Sequence, residues 1–194
     1  MQVSKTILNI TSQRFISLDF MNSLFRDYTG MGNHEDRLQK PQWVESFLGR
    51  WHLDDQRRPS RLTLCELDRL RDLLWRMAEA VVRSRKPRES DFARLNQIIA
   101  AARLRRRLNA SRGKYEMVIS PARRDWTWIQ SEIAADFASL LTQPESRRRL
   151  KLCANPDCRW IFYDASKNKT RNWCTSTCGS LINVRRFRER IRRR

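Results

Sequence analysis

Four cysteines constrain the folding of this chain more than any other feature. Cys153, Cys158, Cys174 and Cys178 form the pattern C-x4-C-x15-C-x3-C within twenty-six residues. Zinc takes four ligands at the corners of a tetrahedron, and two close pairs from separate segments supply them while tying those segments together. In "CANPDC" the first pair can wrap a metal in a turn that Pro156 favours. Cys174 and Cys178 can present both sulfurs from one face where a helix begins. Disulfides are the competing reading, and a reducing compartment disfavours them. Isolated core thiols would not gather in two close pairs. A redox couple would be expected as C-x-x-C, which the chain lacks. The pattern predicts one structural Zn²⁺ with every position filled by protein, which leaves no open site for a catalytic water. A module of about forty-five residues has little core of its own, so metal binding and folding should be one event.

Around the cysteines, "RWIFYD" and "RNW" read as short strands joined by the polar turn "ASKNKT". A helix from about Cys174 follows. Knuckle, hairpin, helix is the element order of a treble-clef-like zinc module. Along that helix Leu181, Val184, Phe187 and Ile191 make an apolar stripe, expected to pack on Ile161, Phe162 and Trp173. Arg185, Arg188 and Arg192 fall on one flank, and Arg186, Arg190 and Arg193 on the other. Arg159, Lys167, Lys169 and Arg171 are expected to offset the negative charge of the metal–thiolate centre.

Charge gives the module a partner. The chain carries a net +19, and from Arg147 to Arg194 fifteen Lys and Arg face three acids, a local +12. So lopsided a distribution suits a polyanion, with DNA first, RNA as the alternative and an acidic membrane surface behind both. Arginine forks match phosphate oxygens. Lys167, Asn168, Lys169, Arg171 and Asn183 are the candidates for reaching base edges.

The preceding residues read as helices. "SLDFMNSLFRDY" places Leu18, Met21, Phe25 and Tyr28 at helical spacing, and Pro41 opens a helix that buries Trp43, Phe47 and Leu48. Thr63 and Glu66 form a capping box ahead of Leu67, Leu70, Leu74, Met77 and Val81. Ser90 or Asp91 caps the next helix, with Phe92, Leu95, Ile99 and Ala102 inward. Strand formers on either side of "ASRG" predict a β-hairpin ended by Pro121. "DWTWIQSEIAADFASLL" returns to a helix with Ile129, Ile133, Phe137 and Leu140 on one stripe. The polar "TQPESRRR" marks a boundary that a short helix could cross. Cys65 is expected as a small buried hydrophobe, and the two histidines, His34 and His52, as surface residues.

With these residues in view, the chain resembles the CGNR zinc-finger proteins, which pair an N-terminal ABATE domain with a C-terminal zinc module. The resemblance rests on the paired cysteines, "IFYD", "RNWC" and "VRRFRER" in the tail. More loosely it rests on "SLDFMNS", "ELDRLRDLLWRMAEAVV" and "DFARLNQII" before it. That family is regarded as stress-related transcription regulators. The resemblance implies DNA binding by the zinc module and a sensing role for the helical domain. The sequence departs from the eponymous motif: after Cys178 and Gly179, Ser180 and Leu181 stand where the family has Asn and Arg. Zinc binding rests on sulfur and is untouched, whereas a polar donor pair near the helix start is missing.

The expected architecture is mainly α: a helical domain over residues 1–143 with a small hairpin, then the zinc module over residues 147–194. The expected function is non-enzymatic transcription regulation through DNA. Two alternatives stand beside it, an RNA-binding protein using the same module and a ligand-binding or enzymatic helical domain with a localising tail. Asp19, Asn22 and Asn96 are the candidates for a small-molecule effector, with capping or a buried hydrogen bond as the simpler role. No stretch is apolar enough to span a membrane, and "MQVSKTILNITSQRF" lacks the apolar run of a signal peptide, so a cytoplasmic setting is expected. The sequence does not specify an oligomeric state.

Overall fold

A computed structural model describes residues 14–53, 58–111 and 113–193. The first thirteen residues of the expected helical domain, and most of the opening segment read for a signal peptide, lie outside the described residues. The elements run α1 (Ile16–Met21), β1 (Leu24–Arg26), β2 (His34–Asp36), α2 (Pro41–Arg50), α3 (Arg61–Val82) and α4 (Glu89–Ala101). They continue with β3 (Leu104–Ser111), β4 (Lys114–Pro121), α5 (Trp126–Thr142), α6 (Pro144–Arg149), β5 (Leu150–Leu152), β6 (Ile161–Tyr163) and α7 (Ser176–Arg192). The mainly helical class and the hairpin at 104–121 match the sequence reading. No described helix is long and apolar enough to cross a membrane.

Helix α5 is the axis of the core. Its stripe of Ile129, Ile133, Phe137 and Leu140 is fully enclosed, and Leu67, Leu70, Leu74 and Met77 of α3 meet it. The cap of α3 lies three residues earlier than expected: the Ser60 hydroxyl accepts the Thr63 N–H at 3.1 Å. Cys65 is exposed rather than buried, because the inward stripe runs through Leu67 and Leu70 and leaves position 65 facing water.

The helix predicted over 18–28 stops at Met21. All six residues of α1 are buried, including Ser17 and Asp19. Buried polar groups need partners, and these have them. Asp136 of α5 accepts the Ser17 N–H at 2.9 Å and its hydroxyl at 2.6 Å. Burial pushes the Asp136 carboxyl up despite those bonds. Asp19 accepts Arg50 at 2.6 Å and the Trp51 indole N–H at 2.9 Å. Beyond Asn22 the chain becomes extended and pairs β1 with β2, Leu24 facing Asp36. Arg71 of α3 holds that ribbon down: its guanidinium clasps both oxygens of Asp36 at 2.6 and 2.8 Å and also reaches Ser23 and Asp68.

The strand pairing near the cysteines differs from the sequence reading as well. Ile161–Tyr163 pairs with Leu150–Leu152, Leu152 facing Ile161, while Arg171–Trp173 is not a strand. Strand β6 has no wet face. Ile161 and Tyr163 enter the helical core, and Phe162, pointing the other way by the alternation of a strand, enters the cysteine cluster. One asparagine ties the two bodies together. Asn22 donates to the Ile161 carbonyl at 2.8 Å and accepts the Ile161 N–H at 3.1 Å, as a neighbouring strand would. Replacing Asn22 with Leu leaves two buried backbone groups unpaired, at a cost of about 2 to 4 kcal/mol. Urea unfolding followed by circular dichroism should show that loss. A change under about 0.5 kcal/mol, typical of an ordinary surface substitution, would make the bracket incidental.

Candidate metal centre and basic helix

The four cysteines meet. Each is at least nine-tenths buried, and all four sulfurs lie within 4.8 Å of one another. Cys158 and Cys174 are 3.5 Å apart, Cys174 and Cys178 3.7 Å. Zinc–sulfur bonds of about 2.3 Å at tetrahedral angles place sulfurs roughly 3.8 Å apart, so the observed spacing fits one ion. The thiols also need it. Hydrogen bonds from Cys158, Cys174 and Cys178 hold Cys153 far below the ordinary thiol range. In return, bonding to Cys153 and the other two thiols, with burial, pushes Cys158 upward. Cys178 is also lowered and Cys174 raised, so protein alone favours ionisation of some sulfurs at their neighbours' expense; a divalent cation lets all four ionise.

Local structure explains how each sulfur arrives. Cys153 directly follows β5, and its N–H donates to the Trp160 carbonyl at 2.8 Å. The turn between the first pair closes through Cys158 N–H to the Asn155 carbonyl at 3.1 Å, and Arg159 takes a left-handed backbone, φ 51°. Cys178 sits in the first turn of α7, where the Thr175 hydroxyl accepts its N–H at 3.4 Å. The amino end of a helix favours negative charge. Outer bonds add to this: Cys174 N–H to Cys153 sulfur at 3.5 Å and the Asn155 amide to Cys178 sulfur at 3.7 Å. Phe25 and Tyr28 of the β1–β2 ribbon, with Trp173, cover the cluster.

The loop between the pairs is wound on Asp164, which is fully buried. Burial alone would raise its carboxyl. Bonds from Ser166, Lys151 at 3.0 Å and the Arg171 N–H at 2.9 Å outweigh that and hold it well below the usual carboxylate range.

Helix α7 grips the module by its first turns only. Cys178, Gly179 and Ile182 are buried. A Cβ at Gly179 would lie 2.9 Å from the Trp173 ring, so the glycine is what lets helix and indole touch. The apolar stripe does not pack as expected. Leu181 is half-buried, but Val184, Phe187 and Ile191 are exposed. The reason is that Ile161 and Phe162, its expected partners, are already used by the two cores.

The basic residues fall into two groups. Arg185 donates to Asp157 at 2.6 Å and to the Thr29 carbonyl, fastening α7 to the knuckle and the ribbon. Arg171 donates to the Trp173 carbonyl at 2.7 Å and to the Cys174 carbonyl. Lys169 pairs with Glu145 at 2.6 Å. Arg159 lies over the Trp75 ring at 4.6 Å and near Glu79, turned toward α3 rather than toward the thiolates. Lys167, Asn168, Asn183, Arg186, Arg188, Arg190, Arg192 and Arg193 are exposed.

The three effector candidates do not converge. Asp19 and Asn22 are occupied by structural bonds, and Asn96 is exposed on α4. Asn22 does border a cleft of about 250 Å³ at the joint, with Arg26, Arg71, Trp75, Arg159 and Trp160. Sequence reading assigned no role to Arg71, Asp157 and Asp164, although each lies within a stretch quoted above.

Comparison with known proteins follows the same division. Residues 149–191 match the family model of the CGNR zinc finger. Residues 16–144 match the model named ABATE, described as "Putative stress-induced transcription regulator". No curated protein matches the chain. Reduced, purified protein should contain one zinc per chain by elemental analysis. Gly179→Ala should keep that zinc yet lower stability by about 1 to 3 kcal/mol through overpacking against Trp173; unchanged thermal unfolding would remove the glycine from the account.

Proposed function

The chain belongs to the ABATE family and closes in a CGNR zinc finger, and from that premise we propose that it regulates transcription by gripping DNA with α7. The observation that carries the reading is a helix anchored at one end and bare along the rest. Zinc-held Cys178, the Gly179–Trp173 contact and the Arg185–Asp157 pair fix its axis. Beyond them Arg186, Arg190 and Arg193 share one flank and Arg188 and Arg192 the other, all exposed. An α-helix fits the major groove, and rows of guanidinium groups on its flanks meet the phosphates that border it.

The exposed stripe of Val184, Phe187 and Ile191 lies between those flanks. It supplies apolar contact of the kind thymine methyl groups accept. Lys167, Asn168 and Asn183 remain candidate contacts, being exposed. Arg171, Lys169 and Arg185 act through the shape of the module. The protein on this reading is a binding protein with no reaction of its own, working in a reducing cytoplasm where its thiols stay free for metal. The cleft beside Asn22 is where a small effector would touch both the helical core and the knuckle.

Anisotropy titrations of the zinc-loaded chain against duplex DNA, structured RNA and anionic vesicles test this. Four to six phosphate contacts give a slope of about −4 to −5 for log affinity against log salt on duplex DNA. Arg188→Ala should reduce that slope by about 1. Arg185→Ala should instead lower stability, since it unfastens the helix. Equal affinity for all three polyanions would reject a DNA-reading head.

A further inference from the structure

The hairpin of β3 and β4 presents an anomaly that neither the zinc module nor its DNA reading absorbs. Every residue of β3 is exposed, and on β4 only Val118 and Pro121 are partly covered. Two strands alone are marginal in water, and three strands or packing on another element are needed for stability. At about 3.4 Å per residue these eight-residue strands extend roughly 27 Å. Such an arm calls for a partner.

The register shows what kind. Residues directly opposite in an antiparallel pair share a face, and successive residues alternate. Leu104 faces Pro121, Arg106 faces Ile119, Leu108 faces Met117 and Ala110 faces Tyr115. All eight therefore lie on one side, and Arg106 is the one charge among them. The other side gathers Arg105, Arg107, Asn109, Lys114 and Glu116. Leu104, Leu108, Tyr115, Met117 and Ile119 are 53 to 78 % exposed.

We infer that this apolar face of the 104–121 hairpin is a dimerisation surface, covered by the same face of a second copy of the chain. Charge argues for the second copy. A chain of net +19 repels its own kind over most of its surface. On this face the basic residues have been moved to the reverse side, and the long Arg106 stem can carry its head to the rim. An acidic partner would be met by several cations, and this face offers only Arg106. Area agrees. Five side chains this exposed present roughly 600 Å² per copy, and two faces reach the roughly 1,200 Å² at which specific interfaces begin. Like faces meeting about a two-fold axis close on themselves, giving a dimer rather than a filament.

The test is sedimentation of the zinc-loaded, reduced full chain from about 1 to 100 µM, in salt high enough to shorten the Debye length below about 8 Å. The expected species at the upper end has twice the mass of one chain. Met117→Asp and, separately, Ile119→Asp should weaken the dimer on the order of 100-fold, as truncating a central anchor does. Arg107→Glu, on the reverse side, should leave the dimer intact. Hydrogen exchange on the unsubstituted chain guards against a variant that merely unfolds the arm. Amides of 104–121 should gain protection as concentration rises, while those of α5 stay unchanged. A monomer at 100 µM, a dimer that survives both aspartates, or hairpin protection independent of concentration would each overturn the inference.

Discussion

Four thiolates gathered within 4.8 Å cannot coexist without a cation, and the carboxyl-terminal quarter is arranged around that requirement. The sulfurs come from just after β5, the knuckle, the loop before α7 and the first turn of α7 itself. Those segments have few other reasons to meet. The basic helix donates one ligand and little apolar surface, so the metal, one glycine contact and one ion pair set its direction. The same economy leaves the rest of α7 bare.

The module is nonetheless not a separate bead on a tether. Strand β6 is buried on both faces, one in the helical core and one in the cysteine cluster, and Asn22 grips its backbone from a position 139 residues away in sequence. From the other direction the β1–β2 ribbon reaches over the metal site with Phe25 and Tyr28, and Arg71 pins the ribbon to α3. Whatever disturbs the helical core at α1 therefore reaches the metal site through three residues of strand. That shared wall joins the ABATE-matching region to the zinc finger through packed side chains and backbone.

The sequence made some of this legible and hid the rest for identifiable reasons. The metal site could be read because ligand chemistry is local: sulfur, spacing and charge are all visible in a short window. The stripes on α3 and α5 could be read because periodicity reports a buried face directly. The end of α1 could not, because Phe25 and Tyr28 keep helical spacing while the tertiary demand on Asn22 breaks the helix. Strand β5 could not, because Leu150–Leu152 is three residues beside a run of arginines. The stripe on α7 misled for a related reason. Periodicity identifies an apolar face but not its occupant, and Ile161 and Phe162 were already taken.

The central claim is that one ion organises both the basic helix and its seam with the helical core. Hydrogen exchange of the reduced chain, compared before and after stripping the metal with a chelator, tests it most directly. The account predicts that protection collapses along 150–163 and α7 and weakens at α1 around Asn22, while the middle of α5 stays protected. Unchanged protection in β6 and α7 without metal would contradict it.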